Sequence, residues 1–178
     1  SLFAQPDVTV TELIIPDCHL IDEAALLEAL PPLLAPPSRL GLLRLGFCGV
    51  CFTPSVAMLL EKSDSLHSLS LTGCFRLTDP ALERFLRSRG PQLRLLQLSG
   101  NSQLSGRAVE AISSCCTALE SLLLEDCKQL TPDDLRPLAR LQLQCLSLSG
   151  LHLLTDEGLI HVLANSESSL ERLLLRNC

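Results

Sequence analysis

A chain of 178 residues with 3% aromatics and neither Trp nor Tyr cannot fill a core with large rings, so aliphatic side chains must build it. Its net charge of −6 and pI near 5.1 argue against a general cationic face for direct nucleic-acid binding. No apolar run is long enough to cross a bilayer.

Residues 1–9 (SLFAQPDVT) are too short for a structural unit of their own and are expected to be the tail of a preceding repeat or a cap. From residue 10 onward one pattern recurs, L-x-x-L-x-L-x-x-C, clearest at Leu119–Cys127 (LESLLLEDC). Copies begin at 10, 40, 66, 93, 119, 143 and 170, in steps of 24 to 30 residues. That period belongs to leucine-rich repeats. Residues 10–178 therefore read as one repeat domain of about seven units. Because the chain starts at Ser1 and stops on a repeat's cysteine, it is expected to be a segment of a longer protein.

Within each unit the L-x-L alternation predicts a half-buried strand, with successive side chains on opposite faces. Three positions past the cysteine slot lies an apolar residue, and then a candidate helix cap: Asp22, Thr78, Ser105, Thr131 or Thr155. Four residues further on, Leu26, Val56, Leu82, Val109, Leu135 and Leu159 predict the buried side of a helix of two to three turns. The expected fold class is α/β, a leucine-rich-repeat solenoid bent into an arc, with an inner parallel sheet and outer helices. No unit can bury its leucines alone, so stacking must supply the core.

Two stretches depart from the pattern. Pro31–Arg39 (PPLLAPPSR) lengthens the first unit, and its four prolines suit a stiff turn before the next strand. Phe52 stands where a cap belongs, which moves the predicted helix start to Thr53, with Pro54 in its first turn.

Five of the nine cysteines occupy the same repeat slot (Cys18, Cys48, Cys74, Cys127 and Cys178), where a free thiol behaves as a small hydrophobe. With no Asn-x-Ser/Thr acceptor and no secretory leader pattern, this usage predicts a reducing, intracellular setting, cytoplasmic or nuclear. Cys48-Gly-Val-Cys51 spells C-x-x-C, but both cysteines fall in repeat slots and two further zinc ligands at suitable spacing are lacking. Structural thiols are the reading, with neither a disulfide nor a metal expected. Cys115-Cys116 should place one thiol inward and the other toward solvent. Asn101 replaces the slot cysteine of the fourth unit and can bond buried turn backbone through its amide.

No phosphate loop, nucleophile elbow or paired acid and base is present, and the four histidines share no motif. No enzyme is expected, and no cofactor. What remains is surface. The residues flanking the inner leucines form columns across the units, and the candidate protein-binding positions are Arg44, Ser70, Gln97, Leu123, Glu125, Ser147, Arg172, Leu174 and Arg176. Arg172 and Arg176 are expected to meet a carboxylate or phosphate on a partner.

The motifs LHSLSLTGCFRLTD, LESLLLEDCKQLTP and LQCLSLSGLHLLTD resemble the cysteine-containing leucine-rich repeats of F-box substrate receptors in cullin-RING ubiquitin ligases. They also look like the repeats of a nucleotide-excision-repair ligase subunit and of ciliary and cytoskeletal scaffolds. The resemblance implies a non-enzymatic scaffold that binds other proteins, with a ligase adaptor as partner only where an F-box precedes the segment. It leaves open a structural subunit of a large intracellular assembly. Neither nucleic acid nor membrane is an expected direct partner.

Overall fold

The structure is a computed structural model, and it describes residues 10–16, 21–35, 38–46, 52–164 and 169–178. Seven short strands form one parallel sheet in chain order: β1 (Glu12–Ile15), β2 (Leu42–Gly46), β3 (Ser68–Thr72), β4 (Leu95–Gln97), β5 (Ser121–Leu123), β6 (Cys145–Ser147) and β7 (Arg172–Leu174). The register follows the repeat: Leu43, Leu69, Leu96, Leu122, Leu146 and Leu173 are aligned neighbours across six strands.

Helices return the chain from each strand to the next. They are α1 (Glu23–Ala29), α2 (Pro31–Leu34), α3 (Pro54–Leu60), α4 (Asp79–Arg89), α5 (Gly106–Cys115), α6 (Pro132–Leu135) and α7 (Asp156–Leu163). Helices of successive units pack side by side. A helix is about 10 Å wide whereas strands lie about 4.8 Å apart, so this layer must splay and the sheet takes the inside of the bend.

The core is one continuous cluster, and Leu69, Leu71, Leu96 and Leu98 all belong to it. Aliphatic residues dominate it, and among the described residues Phe52 packs against Phe85, edge to face with centroids 5.7 Å apart. Phe52 therefore spends its side chain on packing. Thr53 takes over the cap, accepting from the Val56 amide with Pro54 at the helix start.

Asp22, Ser105, Thr131 and Thr155 cap their helices through side-chain bonds, as expected from their type. Thr78 holds the cap position of α4 without such a bond. Two other expectations need correction. Pro31–Leu34 is helical rather than a plain turn: proline's fixed φ suits a first helical turn, and Leu33 and Leu34 gain burial from it. The Ser38 hydroxyl then ties back to the Leu33 carbonyl at 2.5 Å. The fifth unit does not reach two α-helical turns. Its α6 gives way to a 3-10 segment, Arg136–Arg140, because Pro137 has no amide to donate and the next unit begins only 24 residues after the last.

Turns after the strands stack as well. Gly73, Gly100 and Gly150 have positive φ there, and Asp126 and Asn177 hold the same left-handed conformation. Gly150 is doubly constrained: its φ is +76°, and a Cβ would come within 2.3 Å of the Asp126 carboxylate.

Candidate functional site

The slot after each turn is structural. Cys127 Sγ donates to the Leu98 carbonyl at 3.2 Å, Cys178 Sγ to Leu148 at 3.3 Å, and Cys74 Sγ more weakly to Leu45 at 4.0 Å. Asn101 does the same job with an amide, reaching the carbonyls of Leu71 at 2.6 Å and Leu98 at 2.7 Å. These four slot side chains thus each stitch their unit to the one before. Burial raises the Cys127 thiol to about 11 and the Cys116 thiol to about 12, so both stay protonated near neutrality. Cys116 is buried and Cys115 half-exposed, matching the inward and outward pair expected of them. Cys18, Cys48, Cys51 and His19 lie outside the described residues.

The strand face opposite the core carries the predicted columns, and the register brings them into line. Ile14, Arg44, Ser70, Gln97, Leu123, Ser147 and Leu174 are successive partners across the sheet. Their exposure differs sharply. Arg44, Arg172 and Arg176 are exposed, Gln97, Leu123, Glu125 and Leu174 half-buried, and Ser70 and Ser147 buried.

The serines are buried because their longer neighbours lean over them. The Ser70 hydroxyl donates to Gln97 Oε1 at 3.0 Å, and the Ser147 hydroxyl donates to Glu125 Oε1 at 2.6 Å. These rungs make the middle of the wall a floor whose polar groups already hold one another. Nothing in the L-x-L pattern announces them; the signal, in hindsight, is a short hydroxyl beside a Gln or Glu in an adjacent column.

Seven arginines outside the strand face are committed. Arg84, Arg87, Arg89, Arg94, Arg107, Arg136 and Arg140, on helices or at the rim, each form an ion pair with an acidic side chain. Among the described residues, no ion pair engages Arg44, Arg172 or Arg176, nor Arg39 and Arg76, which are exposed off the strand face. At the β7 end an open depression of about 250 Å³ is lined by Glu125, Asp126, Ser149, Leu174, Arg176 and Asn177, among others. Glu125 and Arg176 share it without pairing, Glu125 being bonded to Ser147.

No family model matches the chain. Two curated relatives align with about three-fifths of it. "Putative RNA-binding protein EEED8.10" of Caenorhabditis elegans is 34% identical over 109 residues, which are 59% of this chain and 14% of that protein. DNA repair protein rhp7 of Schizosaccharomyces pombe is 30% identical over 111 residues, 59% of this chain and 20% of that protein. This chain therefore spans a fifth or less of either relative's length. Among solved structures, the crystal structure of the Rad7 and Elc1 complex in yeast matches 96% of this chain and 57% of its own, with a TM-score of 0.55 and 18% identity. The fold is a leucine-rich-repeat solenoid. Among the described residues, no helix is long and apolar enough to cross a membrane.

Proposed function

We propose that this chain is a non-enzymatic protein-interaction scaffold, the substrate-recognition region of a ubiquitin-ligase receptor of the F-box type. The observation that carries the reading is at the β7 end of the sheet: Arg172 and Arg176, two positions either side of Leu174, are exposed and form no ion pair among the described residues. A guanidinium left without an acid inside the molecule is available to one outside it, and arginine is a favoured interface anchor. The resemblance of the repeats to F-box receptors supports the ligase assignment, and the solenoid fold supports the scaffold. Contact with a ligase adaptor would require an F-box preceding this segment.

The test uses the full-length protein with Arg172→Glu and Arg176→Glu together. Quantitative mass spectrometry of co-purified proteins should show ligase subunits retained and other partners reduced by about tenfold or more, the equivalent of 1.4 kcal/mol. Partners retained at wild-type level would remove the strand face from the account. Absence of ligase subunits would favour a structural subunit of a large assembly instead.

A further inference from the structure

The arginine end of the sheet carries a spacing as well as a charge. Arg172 opens β7, Leu174 closes it, and Arg176 follows two positions later, lining the same depression as Leu174. Arg176 stands at the start of the turn, but its carbonyl and that of Leu174 both accept from the preceding unit, from the Gly150 and Leu148 amides. The alternation thus carries past the strand end and puts all three on one side, with the two arginine positions on the order of 13 Å apart and an apolar side chain midway. Cys145, the register partner of Arg172, is half-buried, and so is Leu123 two strands from Leu174. Ser147, the register partner of Leu174, has its hydroxyl held by Glu125, so the apolar contact offered between the arginines is the half-buried Leu174 side chain itself, inside a molecule whose net charge is −6.

An extended peptide repeats this geometry: its side chains alternate, and residues four apart on one face are also separated by about 13 Å. Building on the scaffold reading above, we infer that the partner presents an extended segment of the form acidic-x-apolar-x-acidic. Its apolar side chain rests on Leu174, and one carboxylate meets each arginine. Both contacts use the planar donor fork of arginine, which a carboxylate oxygen pair matches and a lysine ammonium does not.

The same surface disfavours a continuous phosphate chain. Glu125 and Asp126 flank Arg176 in the depression, and a polyanion crossing the wall would pass over both. Separate carboxylates arriving above β7 avoid them. A protein segment is thus the occupant, and RNA is the alternative the experiment must exclude.

The experiment measures binding of the full-length protein to N-acetylated, C-amidated peptides of serine and glycine carrying two glutamates. The separation of the glutamates is two, three, four or five residues, and leucine or serine sits between them. Separation four with leucine should bind at least about tenfold more tightly than separation three, than the serine version, or than the Glu→Gln version. Arg172→Glu with Arg176→Glu should abolish the preference, while circular dichroism reports an intact fold. Arg172→Lys with Arg176→Lys should weaken it.

Equal binding at all separations, survival of binding in the charge-reversed protein, or preferential binding of oligouridine RNA over every peptide would each overturn the inference. If the charge-reversed protein loses its co-purified partners while no peptide shows the four-residue preference, this inference fails and the scaffold reading stands. Failure of both readouts removes both.

Discussion

Asn101 holds two carbonyls, those of Leu71 and Leu98, where Cys127 holds one. Removing its side chain takes the amide donor from the Leu71 carbonyl and leaves Leu98 with only the Cys127 thiol, so Asn101→Ala should cost about 1–3 kcal/mol in urea unfolding. Asn101→Cys should recover a substantial part of that, because neighbouring units already use a thiol in the same place. Equal losses for the two variants would show that the slot needs volume and not a donor. The thiols themselves give a second residue-scale expectation. Cys127 and Cys116, buried and raised to about 11 and about 12, should resist alkylation at pH 8, while half-exposed Cys115 reacts ahead of them. Peptide mapping after timed labelling reads the order directly.

Elements are joined by side chains as well as by packing. The Thr53 hydroxyl donates to Glu23 at 2.7 Å, linking α3 to α1, and Ser105 donates through amide and hydroxyl to Asp79, linking α5 to α4. Hydrogen bonds from Thr53 first, and Ser55 second, hold the Glu23 carboxyl below its ordinary 4.5. A depressed carboxyl contributes stability that is present above 4.5 and disappears as pH falls through its lower folded value. The stability difference between wild type and Glu23→Gln should therefore shrink on acidification below about pH 4.5. In a carboxyl titration by NMR, Thr53→Val should move the Glu23 midpoint up toward the ordinary value. An unmoved midpoint would disprove the clamp.

What could be read in advance follows the same division. Strand columns were legible because a period of two leaves no freedom: once Leu69 faces the core, Ser68 and Ser70 face away, and the parallel register aligns them with Leu95 and Gln97. Helix starts were legible from cap residues, even where Phe52 displaced one. The burial of Ser70 and Ser147 was not, because it depends on which way Gln97 and Glu125 bend, a tertiary choice. Nor was α2, since a proline-rich stretch suits a first helical turn as well as a loop. The candidate site was thus found as a face, and which of its residues are presented outward emerged only from the side-chain bonds across it.

At the scale of the whole molecule, stability is a sum over neighbouring units, each leucine ring touching the next. Leu98→Ala, in the middle of the continuous core, should cost roughly 2–5 kcal/mol, and should raise amide exchange in the units on either side as well as its own. In the proposed function such a stack presents its strand face, with the arginine end as the contact. Hydrogen–deuterium exchange of the full-length protein, free and with a co-purified partner bound, tests this most directly. Protection should appear in peptides covering 121–126, 145–149 and 172–177, with α4 and α5 unchanged. Protection confined to the helices, with those three segments exchanging as in the free protein, would contradict it.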